Sequence, residues 1–248
     1  MSLFVLIIVL TINHAFTKKL PPHFTVCSRN DPNLNECYCQ AVQKVLALST
    51  EPTPELFIPA IDPITLDKIE IPLAQTNNFK FSQTLYDLKL HNLKEAKLNR
   101  CEVNLGTDEF AIVSYSRTPS LRLLGNYHVN GKVLLLVVNG NGSFTVNFDD
   151  VYTVMNMTGT IVQKKGKEYI ALKDLKVKFT PKNVTFKFDN LFNGNKQLDD
   201  TMNQLLNENW STIYEEIGSV YEDIAASFLK NAIHQVFNKI PYDNLFPI

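Results

Sequence analysis

The sequence predicts an α+β domain in which one long helix lies along an antiparallel β-sheet. In residues 198–240, apolar side chains recur at three- and four-residue steps, which is typical of one face of a helix. In residues 69–188, apolar and polar side chains alternate with a period of two, which is typical of strands with one covered face. The segments Asn130-Gly131 and Gly140-Asn141-Gly142 are typical of hairpin turns. A meander of strands followed by a helical segment favours the α+β class.

The first residues indicate export. Residues 3–10 form an apolar segment that is too short to span a bilayer, and Lys18 and Lys19 follow it in polar sequence. We therefore expect a signal peptide over residues 1–16. No later segment is apolar enough to span a membrane, and no linker or repeat divides the remainder. Residues 17–248 are predicted to form a single secreted domain.

The charge balance excludes two classes of partner. The chain has 24 Lys and Arg residues against 25 Asp and Glu residues, for a net charge of −1. Electrostatic binding to nucleic acid or to an anionic membrane requires an excess of basic residues. We therefore expect no nucleic acid partner and no stable membrane insertion, and we expect a monomer.

Residues 34–48 are predicted to form the first helix, beside four cysteines that export makes candidates for disulfides. Cys27 and Cys37 enclose a short polar loop, so we predict a bridge between them. Cys39 and Cys101 remain. Cys39 points to a different side of the helix from Cys37, which suits a separate partner, but the sequence leaves the second pairing open.

Three segments predict the best-defined strands. Residues 144–148 and 184–188 alternate apolar with polar side chains, so each should present one apolar face. Residues 133–138 form a continuous apolar run, which favours a strand covered on both faces.

The C-terminal helical run is too long for a straight helix in a compact domain. Residues 198–240 would reach about 60 Å, whereas a domain of this length has a radius of gyration of about 17 Å. We therefore predict either an elongated domain or a bend, and Gly218-Ser219 is the best candidate for the bend.

Four Asn-x-Ser/Thr sequences are consistent with export and are predicted sites of N-glycosylation. Their acceptor residues are Asn141, Asn156, Asn183 and Asn209.

The sequence contains no recognisable constellation of catalytic or metal-binding groups. His23, His91, His128 and His234 are scattered without the spacing of metal ligands. The sequence contains no nucleophile elbow, phosphate-binding loop or dinucleotide fingerprint. We predict that the protein is not an enzyme, with no metal, no catalytic residue and no cofactor.

The aromatic residues give a positive indication of a binding function. The chain has 16 Phe and 9 Tyr residues, many of them on the predicted apolar faces. For any one residue, core packing explains its position. Together, a long helix and long strands can also leave an apolar channel that suits an elongated lipophilic ligand, and periodicity leaves both interpretations open.

Several ordered motifs resemble one family from Cys27 to the C-terminus. They include Cys27…Asp31-Pro32-Asn33-Leu34-Asn35-Glu36-Cys37, Ile58-Pro59-Ala60-Ile61-Asp62-Pro63, Asn190-Leu191-Phe192-Asn193-Gly194-Asn195 and Asn207-Glu208-Asn209-Trp210. In this respect the chain resembles the takeout and juvenile hormone-binding protein family of insects. The pair Cys39 and Cys101 lies outside the common pattern, and the hormone-binding branch has a second bridge that this chain cannot form, so the takeout-like branch is the closer match.

The resemblance implies a strongly curved antiparallel sheet that wraps a long C-terminal helix, similar to one half of the bactericidal/permeability-increasing lipid-binding proteins. It also implies a tunnel for a small hydrophobic ligand such as a terpenoid hormone or fatty acid. The implied role is extracellular carriage of that ligand, linked to feeding, circadian, chemosensory or hormonal physiology.

Pattern and resemblance together give candidate residues for the tunnel wall. They are Tyr127, Leu134, Leu136, Phe144, Phe148, Met155, Phe186, Phe188, Trp210, Tyr214, Ile217, Tyr221 and Phe228. Tyr127, Tyr214 and Tyr221 are the candidates for polar contacts. The main alternative is an extracellular interaction module whose core is filled; a membrane-docking lipid transfer protein and a secreted hydrolase are weaker ones.

Overall fold

The computed structural model describes residues 20–21, 24–48, 50–56, 58–134 and 136–248. The predicted signal peptide over residues 1–16 and the histidine His23 lie outside the described residues. The described elements are α1 (Leu34–Leu48), β1 (Ile64–Gln75), β2 (Phe79–His91), β3 (Lys97–Leu105), β4 (Glu109–Val133), β5 (Leu136–Lys164), β6 (Lys167–Thr180), β7 (Asn183–Phe188), α2 (Lys196–Glu208), α3 (Trp210–Phe237) and α4 (Tyr242–Leu245).

The seven strands form one antiparallel sheet with the path β1-β2-β4-β5-β6. β4 and β5 pair from end to end, and each has a different neighbour along each half. β2 pairs with the second half of β4 and β3 with its first half, whereas β7 and β6 pair with successive parts of β5. The sheet curls around the C-terminal helices, as the resemblance predicted. Register shifts in β1, β2, β3 and β6 supply local bends in the strands that a curved sheet needs.

The hairpin between β4 and β5 differs from the sequence prediction. Residues 133–138 do not form one strand, because β4 ends at Val133 and β5 begins at Leu136. Leu134 has a φ of 54° in the turn, and Val137 is 74% exposed. The predicted turns Asn130-Gly131 and Gly140-Asn141-Gly142 instead lie within paired strands.

Close backbone approach explains the glycines of those two segments. A Cβ on Gly140 would come within 2.5 Å of the Asn190 carbonyl oxygen, and one on Gly142 within 2.0 Å of the Asp189 carbonyl oxygen. The chain after β7 therefore crosses directly over β5 at these positions. The glycines indicate this contact and not a change of chain direction.

The C-terminal helical run is interrupted at Asn209 and not at the predicted Gly218-Ser219. Asn209 has φ −112° and ψ 21°, and its side-chain amide and backbone N–H both donate to the Leu205 carbonyl. Asparagine favours such an end because its side chain competes for backbone hydrogen bonds. α3 continues through Gly218, whose Cβ would lie 3.3 Å from the Tyr214 ring. Gly218 thus makes room for Tyr214.

Two apolar clusters form the core on the concave side of the sheet. The first joins β1, β2, β4, β5 and β7 to α2 and the first half of α3. The second joins β4, β5 and β6 to the second half of α3 and to α4. The two halves of the long strands thus contribute to different clusters.

Two disulfides fasten the N-terminal region. Cys27 is bonded to Cys37, with Cα atoms 5.9 Å apart, and Cys39 is bonded to Cys101, with Cα atoms 5.7 Å apart. The second bond answers the pairing that the sequence left open. It joins α1 to β3, where Gln43 also accepts a hydrogen bond from the Leu98 N–H at 3.0 Å.

Candidate apolar cavity

A cavity of about 160 Å³ lies in the first cluster, between the sheet and the C-terminal helices. Its wall is formed by four strands (β2, β4, β5 and β7), by the helices α2 and α3, and by the chain just before α2. The lining residues are Phe79, Phe81, Gln83, Leu85, Leu123, Val129, Val133, Val138, Phe144, Val146, Phe148, Phe186, Phe188, Leu191, Met202, Leu206, Ile213, Tyr214, Ile217, Gly218 and Tyr221. None of these described lining residues carries a charge.

Strand alternation explains why these side chains share one surface. In β5, Phe144, Val146 and Phe148 are two residues apart, so they point to the same face. Phe144 lies opposite Phe188 in the neighbouring β7, and Val146 lies opposite Phe186. Pairing between β5 and β7 therefore extends the apolar wall across two strands.

Aromatic contacts make one side of this wall rigid. The Phe144 and Phe188 rings stack with centroids 5.7 Å apart, and the Tyr127 ring meets Phe188 edge-on at 5.2 Å. Such pairs stabilise a core beyond the area that they bury. The Tyr127 hydroxyl donates to the Asp189 carbonyl at 2.8 Å. Tyr127 thus supports the wall and is not among the lining residues.

Tyr214 lines the cavity, but its hydroxyl has partners elsewhere. It lies 3.1 Å from the Phe179 carbonyl oxygen and 3.3 Å from Glu222 Oε1. Glu222 is buried and also accepts hydrogen bonds from Lys178 and from the Phe179 N–H. Burial, followed by the nearby carboxylate, raises the pKa of Tyr214, so the phenol stays neutral.

Gln83 and Tyr221 form a second polar contact on the wall. The Tyr221 hydroxyl donates to Gln83 Oε1 at 2.7 Å and so connects α3 to β2. Burial raises the pKa of Tyr221, which remains a neutral hydrogen-bond donor.

The structure brings together seven of the thirteen candidate wall residues: Phe144, Phe148, Phe186, Phe188, Tyr214, Ile217 and Tyr221. Tyr127 is a buried member of the first cluster, and Leu134, Leu136 and Trp210 pack against that cluster, but none of the four lines the cavity. Met155 packs against the second cluster, because it lies in the other half of β5. Phe228 is half-buried on α3 and belongs to neither cluster.

The sequence prediction named none of the lining residues from β2, β4 and α2. The most informative of these is Gln83, which follows Phe79 and Phe81 at two-residue steps and precedes Leu85. An amide in an otherwise apolar inward row is a signal that the sequence does contain.

The glycosylation candidates differ in accessibility. Asn141, Asn156 and Asn209 are exposed, whereas Asn183 is half-buried and its amide donates to Asp149 Oδ2 at 3.0 Å. Glycosylation at the four positions stays a prediction.

Two further kinds of feature were expected to be absent, and each can be checked over the residues that the structure describes. These residues contain no group of three or more His, Cys, Asp or Glu side chains that could hold a metal ion. Among the same residues, no helix is both long enough and apolar enough to cross a membrane.

Glu216 of α3 fastens the hairpin between β1 and β2 beside the cavity. Its carboxylate accepts hydrogen bonds from the Thr76 hydroxyl, from the Asn78 side-chain amide and, at 3.2 Å, from the Asn78 N–H. The hydrogen bond from Thr76, and then those from Asn78, lower the pKa of Glu216 below its ordinary value of 4.5. Phe79 of the same hairpin lines the cavity, so Glu216 connects the helix to one part of the cavity wall.

We expect these Glu216 contacts to stabilise the protein at neutral pH and to lose that effect in acid. Because the pKa is lower in the folded state, the stabilisation is fully present above about 4.5 and disappears as the pH falls through the folded-state pKa. Glu216→Gln should therefore be less stable than the wild type at neutral pH, with a difference that shrinks in acid. Denaturant unfolding across this range measures it, and Glu215→Gln is the control because it removes the same charge from an exposed neighbour. A difference that is independent of pH would contradict this assignment.

Comparison with known proteins agrees with this fold. The sequence matches the family described as haemolymph juvenile hormone binding protein over residues 3–247. The circadian clock-controlled protein daywake of Drosophila melanogaster is 28% identical over 198 residues, which cover 78% of this chain and 76% of that protein. The daywake protein of Drosophila yakuba is 26% identical over 216 residues, which cover 85% of this chain and 80% of that protein.

A solved structure is similar over nearly the whole fold. The crystal structure of Takeout 1 from Epiphyas postvittana superposes with a TM-score of 0.77 and 25% sequence identity, covering 90% of this chain and 100% of that chain. The curled sheet, the C-terminal helices and the match over residues 3–247 therefore lead to one conclusion. This chain belongs to the haemolymph juvenile hormone binding protein family.

Proposed function

We propose that this chain is a secreted carrier that binds one elongated hydrophobic molecule between its sheet and its C-terminal helices. The observation that carries the proposal is the uncharged, almost entirely apolar cavity in the first cluster. The match to a family of hormone-binding proteins of the haemolymph supports both ligand binding and an extracellular location.

An empty cavity of this size is costly for a protein core. At about 24 cal/mol per Å³, a void of 160 Å³ corresponds to a loss of about 4 kcal/mol relative to a filled core. A dry apolar cavity of about 150 Å³ in another protein binds benzene. Filling the cavity with a ligand therefore recovers packing that the side chains alone do not supply, and this favours a carrier over a module with a filled core.

Removal of ligand surface from water supplies the affinity. An elongated ligand that buries about 400 Å² would gain on the order of 10 kcal/mol before the costs of association. Such a ligand would extend along the space between the sheet and α3, where side chains such as Tyr214 and Ile217 form the wall. We expect affinity to rise with chain length until the cavity is full.

The first experiment is extraction of natively purified protein, followed by mass spectrometry, together with titration of a fluorescent apolar probe. A bound apolar compound and displacement of the probe by lipids would support the proposal. Absence of both would overturn it.

A cavity-filling variant locates the site. Val146 lines the cavity between Leu123 and Phe186 in the sheet, so Val146→Phe should place a ring in the void. We expect at least about a 10-fold loss of probe affinity, equivalent to 1.4 kcal/mol. The measurement is the dissociation constant of the probe.

The matched control for this variant is Val177→Phe. Val177 is equally buried but belongs to the second cluster, so its replacement should cost about 1–3 kcal/mol of stability through overpacking and leave probe affinity unchanged. Equal loss of affinity in both variants would mean that the probe does not bind in the cavity.

The physiological part of the proposal rests on the relatives. Two of them are named as circadian clock-controlled proteins, which favours a role in rhythmic physiology over the feeding and chemosensory roles. Measuring the amount of this protein through a light-dark cycle tests the rhythmic role, and a constant amount would count against it.

A further inference from the structure

We propose that Gln83 and Tyr221 form a polar subsite that selects the ligand, and that the ligand carries an uncharged hydrogen-bond acceptor, such as a carbonyl oxygen, on an apolar body. The inference rests on the proposed function because it requires that the cavity holds a ligand. It adds the chemical class of the ligand and the two residues that recognise it.

Gln83 is a polar residue in a buried, apolar position of the sheet. Gln83 is only 8% exposed, and its inward row in β2 is otherwise apolar. Its partners across the sheet are Ile71 in β1 and Val129 in β4, both buried. A leucine at this position would bury apolar surface without the desolvation cost of an amide.

Only part of the hydrogen-bonding capacity of Gln83 is used within the protein. A glutamine side chain has two N–H donors on its amide nitrogen and an acceptor oxygen. Tyr221 uses its one hydroxyl hydrogen to donate to Gln83 Oε1. No hydrogen bond joins the amide nitrogen of Gln83 to another described residue. This nitrogen is not among the fully enclosed unpaired polar atoms, so it keeps accessible surface, and Gln83 lines the cavity. Polar groups inside a core are normally paired, and an acceptor on a ligand would supply the partner that the apolar wall lacks.

Tyr221 fixes the direction of those donors. Its hydroxyl holds the amide oxygen toward α3, at 2.7 Å, and the amide nitrogen therefore points away from that bond. The other tyrosine of the wall cannot replace this subsite, because the Tyr214 hydroxyl already lies within hydrogen-bond distance of the Phe179 carbonyl and Glu222.

The described cavity wall carries no positive charge that could pair with an anionic ligand. The described lining residues include no Lys, Arg or His. An ionised carboxylate in this cavity would lose its hydration without gaining a cation. The subsite therefore favours an ester, ketone or aldehyde oxygen over the carboxylate of a fatty acid.

The test compares three competitors of matched length: methyl laurate, sodium laurate and an alkane. Each displaces a fluorescent apolar probe from the full chain at neutral pH. We expect the wild type to bind methyl laurate about fivefold more tightly than the alkane, the size of one neutral hydrogen bond, and to bind laurate most weakly. Gln83→Met, which removes the amide but keeps the length, should abolish the preference for the ester over the alkane.

Two further variants serve as a substitute for Gln83→Met and as a control. Gln83→Leu repeats the test if the methionine variant folds poorly, as judged by its thermal unfolding. Leu123→Met is the matched control, because it changes an apolar lining residue and should affect ester and alkane equally.

The failures are distinguishable. If the probe binds but ester and alkane compete equally in the wild type, or laurate binds best, the inference is wrong and the carrier proposal stands. Retention of the ester preference in both Gln83 variants also overturns it. If no apolar probe binds at all, the carrier proposal fails and the subsite fails with it.

Discussion

Replacement of Phe144 by alanine should lower the free energy of unfolding by about 3–5 kcal/mol and enlarge the cavity at the same time. Phe144 is 4% exposed, stacks on Phe188 and contacts Tyr127 edge-on. Its replacement removes the central ring of the wall. The space should stay open, because backbone pairing fixes the spacing of β4, β5 and β7 and these strands cannot collapse into it. Denaturant unfolding measures the loss.

A small apolar compound should partly restore this variant. A ligand that binds only the folded state stabilises it according to its concentration and affinity, and benzene has the size of the missing ring. We expect benzene to raise the unfolding temperature of Phe144→Ala more than that of the wild type.

Phe110→Ala is the control for both measurements. Phe110 is also buried and pairs edge-on with Phe237, but it belongs to the second cluster. It should lose comparable stability without enlarging the cavity beside α2. A loss below about 1 kcal/mol in Phe144→Ala would show that the wall relaxes freely, which contradicts a rigid aromatic wall.

Removal of the Cys39–Cys101 disulfide should destabilise the protein by about 4 kcal/mol. The bond closes a loop of 62 residues between α1 and β3, and loop-closure entropy in the unfolded chain grows with loop length. Cys39→Ala with Cys101→Ala should therefore lower the unfolding temperature strongly. The measurement is reversible unfolding under conditions that keep the other bridge oxidised.

The shorter bridge is the matched control. Cys27 and Cys37 are 10 residues apart, and the same relation gives about 3 kcal/mol for their removal. The two double variants should therefore differ by about 1–2 kcal/mol. A larger effect from the shorter bridge would mean that native contacts of the N-terminal arm, such as the Arg29 guanidinium 4.5 Å from the Tyr242 ring centroid, matter more than loop length.

Much of the fold could be predicted because periodicity is a local property. The first helix over residues 34–48, the alternating strand around Phe144 and the helical C-terminal run all follow from residues close together in the sequence. The two turn predictions that were wrong involved contacts between residues distant in the sequence. Gly140 and Gly142 looked like turn residues, but the chain at Asp189 and Asn190 packs against them.

The candidate site was predicted in part for the same reason. Phe186 and Phe188 were identified by alternation, whereas Met202 and Leu206 were recognised only as part of the apolar helix face and not as neighbours of these rings. Met155 was a candidate wall residue that lies away from the cavity. It lies on the same strand as Phe148, but that strand continues into the second cluster, where a different part of α3 covers it.

The sequence by itself determined which faces of the strands and helices are covered, because side-chain direction follows from a repeat of two or of 3.6 residues. Only the tertiary structure decided whether the covered space is filled. The volume between Phe144 on β5, Gln83 on β2 and Tyr221 on α3 depends on how elements distant in sequence are spaced. Periodicity contains no information on that spacing, and the cavity and its polar pair therefore emerge only when the sheet curls around the helix.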